Sequence, residues 1–484
     1  MITPQHRNIA LLVAGCYFME MLDGTIVTTA SPQIGRSLHA PATEVGLVVT
    51  AYLLTLAVLI PLSGWLTRRY GNRRVFLTAI ALFTLASVGC AASVNLGMLV
   101  AMRVLQGAGG AMMVPVGRTM VLSPAAKADI LRLTSYVVWP GLLAPVIAPL
   151  AGGLITTYAS WHWMFLINVP LGAVAFAAAW RLITAVPIGP AGPAADMTPG
   201  RLADGRPPPS DQGPPPLDWV GVLLTCAGLG GLTYTAHLIS LPFVSAAQAA
   251  VFAGASLALL AGAGAHLRRA AHPLLNLRTL TVRTFRVSQL GGTMYYFVVG
   301  ALPFLLPLMF QVQFGWSPVK SGAVTAFVFA GNVGIKPATT PLINRFGFRP
   351  LLIASTLGTA VIVAALGFIT AATPVPVIAA LALASGITRS TGFTVYTTVG
   401  LADMAPGLMR DANTLAATSM QLGAGLAVAG AAVALRAGYA LAGGGQAAYT
   451  VAFCLLAVVA AGCAAEALRM DPLAGNAARR PRPA

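Results

Sequence analysis

Long apolar runs, separated by short polar and basic segments, follow one another along almost the whole chain. A helix needs about 20 mainly apolar residues to cross a bilayer, and fourteen runs reach roughly that length. The pattern therefore predicts an all-α polytopic membrane protein. The predicted spans are 9–32, 45–66, 75–96, 98–121, 133–157, 163–183, 218–241, 244–267, 287–312, 319–343, 351–372, 375–398, 413–436 and 447–468.

The composition agrees with this pattern, because 57% of the 484 residues are hydrophobic and only 8% are charged. A net charge of +17 would also suit a nucleic-acid-binding protein. The basic residues, however, cluster after the second, fourth, eighth and tenth spans and are sparse in the other loops. By the positive-inside rule this places both termini in the cytoplasm of a bacterial inner membrane. We expect the bilayer, and no nucleic acid, as the partner of these charges.

A short repeat organises the spans. "RYGNRRVFL" at 69–77 lies between the second and third spans, and "RFGFRPLLI" at 345–353 lies between the tenth and eleventh. If the two loops are equivalent, two six-span halves flank an inserted pair. Facing repeats of this kind are typical of secondary transporters. The predicted domains are a six-helix bundle (1–183), a Pro/Gly-rich cytoplasmic linker (184–217), an inserted helix pair with a basic loop (218–286), a second six-helix bundle (287–468) and a cytoplasmic tail (469–484).

Two acids lie inside the first apolar run, Glu20 and Asp23 in "FMEMLDGTIV". A charge at the bilayer centre costs about 2.5–3.5 kcal/mol on insertion scales, so such residues are candidates for function. Three residues apart, they share one helix face, and in a medium of low dielectric constant they cannot both ionise cheaply. They could carry protons, or they could be held in a static ion pair with Arg103 at similar depth in span four. The two roles can coexist.

Further polar residues interrupt the other predicted spans. Lys336 and Arg389 lie among small and hydroxyl residues, as expected of a cavity wall. Cations facing the two acids would favour anionic or zwitterionic substrates, whereas a hydrophobic cation would favour the acids, and the sequence leaves both open. The uncharged candidates for the substrate cavity, each of which could instead join helix to helix, are Gln106, Tyr295, Gln311, Asn332, Asn413 and Gln421.

Several function classes lack their signatures. The six histidines and five cysteines do not show metal-ligand spacing, and no phosphate-binding GxxxxGK[ST] loop is present. No ring of carboxylates or filter-like loop indicates a channel. We therefore expect no cofactor, no metal and no enzymatic activity.

Five stretches resemble, in order, the motifs of the fourteen-span drug:proton antiporters of the major facilitator superfamily, the EmrB/QacA type, and most closely its MdtD-like multidrug branch. The resemblance implies the major facilitator fold, multidrug efflux in exchange for protons, and a proton-linked Asp23. The sequence departs from the family pattern at Arg68, where an Asp is usual, and at Ala144 and Ala148, where Gly is usual. The five stretches are "LDGTIVTTASP" (22–32), "GWLTRRYGNRR" (64–74), "RVLQGAGGAMMVPVGR" (103–118), "PGLLAPVIAPLAGG" (140–153) and "ASWHWMFLINVPLG" (159–172).

Two of these stretches, 64–74 and 140–153, are candidate gating motifs. In span five, small residues permit close helix approach, and each proline removes a backbone donor, so this helix can bend. We expect a monomer that handles a small-molecule substrate and protons. Two alternatives remain: an exporter of a specific anionic or zwitterionic metabolite, and a non-transporting sensor on a transporter scaffold. The candidate gating residues are Gly64, Arg69, Gly71, Arg73, Pro140, Gly141, Pro145, Pro149, Gly152, Gly153, Arg345 and Gly347.

Overall fold

The computed structural model describes residues 4–41, 44–122, 127–183, 217–240, 246–271, 273–402, 404 and 408–470, and these residues form helices joined by short turns. The predicted linker, except residue 217, and the predicted tail beyond 470 lie outside the described residues. The helices are α1 (Pro4–Ser37), α2 (Gly46–Tyr70), α3 (Asn72–Ala91), α4 (Leu96–Leu122), α5 (Lys127–Tyr158), α6 (His162–Leu166), α7 (Asn168–Leu182), α8 (Trp219–Ser240), α9 (Ala246–Arg269), α10 (Arg283–Leu308), α11 (Pro318–Gly334), α12 (Lys336–Phe346), α13 (Phe348–Gly367), α14 (Val375–Ala402), α15 (Met409–Ala442) and α16 (Gly445–Leu468).

Within the described part of the chain, twelve helical segments are long and apolar enough to cross a membrane by length and composition. Two of the fourteen predicted spans do not meet that criterion. The seventh corresponds to α8, whose described apolar stretch is only Trp219–Leu232. The tenth is divided at Ile335 into α11 and α12, because Pro337 has no N–H to continue the helical hydrogen bonds across the junction.

The helices before and after α8–α9 pack in the same order. We call α1–α7 the N-terminal set and α10–α16 the C-terminal set. In the N-terminal set α1 packs along α5, and α4 packs against α2 and α3; in the C-terminal set α10 packs along α15, and α14 packs against α11 and α13. The sets meet through α5 with α11 and through α2 with α15. Helices α1, α2 and α4 are therefore the counterparts of α10, α11 and α14.

The two copies of the sequence repeat have the same local structure. Gly71 and Gly347 each separate two helices with a positive φ, 80° and 88°, a conformation that glycine adopts without a Cβ penalty. Two residues after each glycine, an arginine reaches the last helix of its own set. Arg73 donates to a carbonyl in the last turn of α7 at 3.2 Å, and Arg349 donates to the final carbonyl of α16 at 2.6 Å. The repeat thus ties the first and last parts of each set together.

The hydrophobic core joins the two sets at one end only. The largest buried cluster combines the second half of α1 and the start of α2 with the second half of α10 and the start of α11. We call this the far end and the opposite end, where α1 begins and α16 ends, the terminal end. There the buried clusters remain within one set: one lies in α1–α7, and another lies in α10–α16.

Backbone contacts seal the far end. Gly153 of α5 lies against the Pro318 carbonyl of α11, and Gly322 of α11 lies against the Pro149 carbonyl of α5, so a Cβ at either glycine would meet backbone atoms. Gln311 adds a hydrogen bond between the sets, because its Nε2 donates to a carbonyl of α1 at 2.8 Å. The close crossing of α5 and α11 therefore requires these glycines.

Helices α8 and α9 form a pair at the junction of the two sets. They pack on each other, and α8 contacts both α2 and α15. Asp218 holds the ends of the pair together: its Oδ1 lies 2.7 Å from His266 Nε2 and accepts the Gly221 N–H, and its Oδ2 accepts the Leu274 N–H. One carboxylate thus links the start of α8, the end of α9 and the following loop.

We predict that Gly322→Ala shifts the protein away from the conformation with a closed far end. The added methyl group would meet the Pro149 carbonyl, and a backbone atom cannot move aside as a flexible side chain can. Double electron–electron resonance between spin labels at exposed Tyr158 and Val312 should show a longer distance. Gly15→Ala is the control, because nothing lies within 4 Å of a Cβ there. Identical distance distributions for the two variants would contradict the prediction.

Candidate functional site

A fully buried ion pair joins α1 to α4. Asp23 Oδ2 lies 2.5 Å from Arg103 Nη1, and neither side chain has accessible surface. The pair lies among apolar helices, where an uncompensated charge would be very costly. This is the partner that the sequence suggested for one of the two acids in α1.

Uncharged side chains complete the hydrogen bonds of Asp23. Its second oxygen, Oδ1, accepts from Gln106 Nε2 at 2.9 Å and from Asn168 Nδ2 at 2.7 Å. The Gln106 side chain also accepts from Arg103 Nη1 at 2.7 Å and donates to Ser87 Oγ at 2.8 Å. The carboxylate is therefore held by α4 and α7, with α3 behind Gln106.

Arg103 has partners that do not depend on Asp23. Its Nε donates to the Val48 carbonyl at 3.2 Å, and its guanidinium lies over the Tyr52 ring with 4.1 Å between the guanidinium carbon and the ring centroid. Both partners belong to α2. A cation–π contact of this kind contributes about 2 kcal/mol when desolvated. The guanidinium can therefore keep its place if the carboxylate of Asp23 becomes neutral.

Glu20 lies one turn before Asp23 on the same face of α1, with 5% of its surface exposed. Its Oε2 has no hydrogen-bond partner among the described residues, and the Tyr52 hydroxyl is likewise unpartnered within them. The two side chains meet at Gly110 of α4, where a Cβ would lie 3.3 Å from the hydroxyl and 3.7 Å from Glu20 Cδ. Arg118 is the cation that interacts electrostatically with Glu20. Glu20 is thus a buried acid with hydrogen-bonding capacity to spare.

Two cations lie inside the C-terminal set. Lys336, at the start of α12, donates to Thr394 Oγ1 at 3.2 Å. Arg389, at the middle of α14, donates to the Val299 carbonyl at 3.4 Å. Both side chains keep accessible surface, and neither forms an ion pair with any described carboxylate. They differ in this respect from Arg103.

The uncharged candidates for the cavity divide into three groups. Gln106 belongs to the Asp23 network, and Tyr295 is fully buried in the C-terminal set, where its hydroxyl donates to the Thr388 carbonyl at 2.8 Å and lies 3.0 Å from Thr359 Oγ1. Gln311 bridges the two sets at the far end. The structure brings the remaining three to no common site: Asn332 and Gln421 are half-buried, and Asn413 is exposed and bonds to its own helix.

The candidate gating residues lie at both ends of the bundle. Pro140, Pro145 and Pro149 are all inside α5, and Gly141 lies against the Tyr17 ring of α1. Gly152 lies 3.0 Å, measured from an added Cβ, from the Ile26 carbonyl. The remaining candidates lie at the terminal end. Gly71 and Gly347 form the turns, and the others lie in the helices that flank these turns: Gly64, Arg69, Arg73 and Arg345.

Comparisons with known proteins decide the family. Residues 13–287 match the family model described as Major Facilitator Superfamily, which is more than half of the chain. A relative from Cronobacter sakazakii that bears the name multidrug resistance protein MdtD is 36% identical over 418 residues, covering 86% of this chain and 83% of its own length. The chain belongs to the major facilitator superfamily.

Further comparisons extend over nearly the whole chain. A relative from Salmonella typhimurium with the same MdtD name is 35% identical over 427 residues, covering 86% of this chain and 84% of its own. The crystal structure of a D-xylose-proton symporter matches with a TM-score of 0.63 at 16% identity, covering 94% and 97% of the two chains. The inward-facing, unoccupied structure of a bacterial homolog of the human lysosomal transporter Spinster matches with a TM-score of 0.62 at 14% identity, covering 99% and 100%.

Membership of the major facilitator superfamily makes the chain a membrane transporter, not an enzyme, and a multi-pass protein of a bacterial inner membrane. The superfamily predicted from the motifs is thus confirmed. No group of three or more metal-binding side chains occurs among the residues that the structure describes. The Asp23 network, Glu20 and the two cations are among the polar groups that the described helices enclose.

Three contributors to the Asp23 network were not singled out from the sequence. Asn168 lies in a motif that supported the resemblance, at the start of α7, but nothing in its local sequence indicates a contact with α1. Ser87 and Tyr52 are ordinary helix residues with no distinguishing pattern. The one available signal was for Asn168, whose amide lies in the apolar stretch "FLINVP". A buried amide needs a hydrogen-bond partner.

We predict that Arg103→Met lowers the stability of the folded protein, because it leaves the Asp23 carboxylate buried without its counter-ion. Breaking a buried pair in this way costs about 3–5 kcal/mol. Adding Asp23→Asn to the variant should recover a large part of the loss. Thermal stability in detergent, measured by size-exclusion chromatography, checks both changes. Arg36→Met, at an exposed residue near the end of α1, is the control. Equal loss in the single and double variants would mean that Asp23 carries no charge in this state.

Proposed function

We propose that the protein exports small amphipathic molecules from the cell in exchange for protons, by alternating access. The observation that carries the proposal is the pair of acids on one face of α1. One is matched by a cation, and the other is buried with a free oxygen. The multidrug resistance relatives support export of drug-like molecules. The protein would act as a monomer on its substrate and protons within the bilayer.

The proposed topology is fourteen spans arranged as six, two and six. Helices α11 and α12 together contain 28 residues, about 42 Å at 1.5 Å per residue, and the 22 residues of α8 extend about 33 Å. Both exceed the roughly 30 Å of the hydrocarbon core. The domains would be 1–183, the linker 184–217, the inserted pair 218–286, the second bundle 287–468 and the tail 469–484. The basic loops place both termini in the cytoplasm.

With that orientation the structure corresponds to an inward-facing state. The far end, where the core joins both sets and α5 crosses α11, would be the outer side. The terminal end, where each set keeps its own core, would be the cytoplasmic side. The similarity to an inward-facing transporter structure supports this assignment. The cavity between the sets would then be open to cytoplasmic substrate.

Proton binding would act on the ion pair. A proton on Asp23 removes the attraction to Arg103, whose guanidinium keeps the Val48 carbonyl and the Tyr52 ring as partners. Glu20, one turn nearer the terminal end, would receive the proton or pass it on. Because Asp23 contacts α4 and α7, neutralising it changes the forces among three helices of the N-terminal set. That change would favour opening at the far end.

Helix α5 would supply the bending that opening needs. Its three internal prolines each lack a helical hydrogen bond, and its contact with α11 involves backbone atoms at Gly153 and Gly322. A contact between two backbones has little room to adjust, so it is either fully formed or broken. This property suits a gate with an open and a closed state. The proton-motive force would drive the cycle: one charge moving across 100 mV provides about 2.3 kcal/mol, enough for more than a tenfold gradient.

We predict that Asp23→Asn abolishes export while leaving the protein in the membrane, because a neutral amide cannot bind and release a proton and so cannot alternate between a charged partner for Arg103 and a neutral one. Glu20→Gln should narrow the range of exported compounds or shift the pH optimum. The measurement is the growth of a drug-sensitive bacterial strain expressing each variant, over a panel of amphipathic compounds and at several pH values.

Glu44→Gln is the matched control, since Glu44 precedes α2 and lies outside the Asp23 network. Membrane abundance of each variant is measured by immunoblot. Wild-type protection by both single variants and by the double variant would refute the assignment. Absence of protection by the wild-type protein over the whole panel would favour a sensor built on a transporter scaffold.

A further inference from the structure

The C-terminal set contains two cations in its interior that no described carboxylate pairs. From residue 219 to residue 402 the sequence has no Asp or Glu. This stretch includes α10 to α14, and it contains both Lys336 and Arg389. The nearest acids along the sequence are Asp218, which precedes α8, and Asp403, which lies outside the described residues. Neither cation can therefore be paired by a carboxylate of its own helices.

The two acids of α1 each have a cation of the N-terminal set beside them. Asp23 is paired with Arg103, and Glu20 interacts with Arg118. Glu466 of α16 packs against Gly291 and the Tyr396 hydroxyl. No described carboxylate comes within ion-pair distance of Lys336 or Arg389.

Because α4 and α14 are counterparts in the repeat, Arg103 and Arg389 can be compared directly. In the N-terminal set Arg103 of α4 contacts α2 through Tyr52 and α1 through Asp23. In the C-terminal set Arg389 of α14 contacts α11 through the Phe329 ring, 5.5 Å away, and α10 through the Val299 carbonyl. The arrangement of helices is the same, but the carboxylate of the first helix is replaced by a backbone carbonyl.

Both cations keep donors for a ligand. An ammonium has three N–H donors and a guanidinium five, and within the described residues each group uses one. Lys336 also lies over the Phe393 ring at 5.4 Å, and Phe393 is one helical turn from Arg389, about 6 Å along α14. Each cation thus has unused donors beside an aromatic ring, Phe393 for Lys336 and Phe329 for Arg389, and both cations contact or belong to α14. Their side chains retain accessible surface even though Arg389 lies at mid-helix between α10 and α11.

We propose that Lys336 and Arg389 form the binding site for the anionic group of the substrate, so that the exported molecule is an amphipathic anion. The anion would be a carboxylate, sulfonate or phosphate, whose oxygens accept charge-assisted hydrogen bonds. Phe393 and Phe329 would contact its apolar part. This inference rests on the proposed function for its biological meaning, but anion binding itself can be tested without transport.

The experiment uses three probes on one ring system: naphthalene-2-sulfonate, its trimethylammonium analogue and neutral 2-naphthol. Binding to the full-length protein in lipid nanodiscs is measured by isothermal titration calorimetry. We expect saturable binding of the sulfonate, at least about tenfold tighter than the trimethylammonium compound. Lys336→Gln and Arg389→Gln should each weaken sulfonate binding at least about tenfold and leave 2-naphthol unchanged.

Matched variants distinguish a binding role from a structural one. Lys336→Arg and Arg389→Lys keep the charge and should retain most of the sulfonate affinity, while Lys320→Gln, which removes a cation stacked on Trp316 at the far end, should change nothing. Asp23→Asn separates the two proposals. If the Asp23→Asn protein does not export but still binds the sulfonate, the proton mechanism and the anion site are both supported. If it exports normally and binds the sulfonate, only the proton mechanism is refuted.

Three results would overturn the inference. One is the absence of saturable sulfonate binding by the wild-type protein. Another is a preference for the trimethylammonium compound, and the third is unchanged sulfonate affinity in both glutamine variants. Each result would be accepted only for protein that elutes as a single folded species, and the charge-keeping variants supply folded protein if a glutamine variant does not.

Discussion

The ion pair between Asp23 and Arg103 is the interaction on which the rest of the N-terminal set depends. Both side chains are fully buried, so each charge must find its partner within the protein. Asp23 finds Arg103, Gln106 and Asn168, and through them α1 is joined to α4 and α7. Because the carboxylate accepts hydrogen bonds from all three side chains, protonation of Asp23 would weaken all three contacts. A proton on Asp23 would therefore change the forces that hold α1, α4 and α7 together.

The two sets differ in the charged side chains that they hold in their interiors. The N-terminal set holds the two acids of α1 and a guanidinium that keeps independent partners, so it is suited to exchange protons. The C-terminal set holds two cations and, between residues 219 and 402, no acid, so it is suited to receive an anion. Export of an anion in exchange for an entering proton moves negative charge out and positive charge in. With a cell interior that is negative, both movements follow the membrane potential.

The fold could be predicted well from the sequence because its main signals are local. Apolar length marked the spans, and the repeated Arg-aromatic-Gly motif marked equivalent turns, which the structure places at Gly71 and Gly347 with matching positive φ. The division of the tenth predicted span at Ile335 was also a local effect, of Pro337, but hydropathy averaged over a window does not register a single missing donor.

The site could be predicted only in part, because partners depend on which helices meet. The two acids were identified because a charged group is costly inside a bilayer. Arg103 was identified because it lies at a depth in its span similar to that of Asp23. Gln106 was assigned to the cavity but bonds to Asp23, and Tyr295 was assigned there but is fully buried among hydroxyl and carbonyl partners. Asn168 was missed, since its contact with Asp23 spans 145 positions of sequence. For such residues, polarity shows that a partner is needed without showing which one.

The most direct test of proton-coupled export is proton release from acidified inverted membrane vesicles, followed with a pH-sensitive dye. Compounds from matched anionic, zwitterionic and cationic series are added to vesicles that contain the protein, and vesicles that lack it serve as the control. The account predicts that amphipathic anions dissipate the pH gradient only when the protein is present. An unchanged gradient with every compound, from vesicles that hold correctly folded protein, would contradict it.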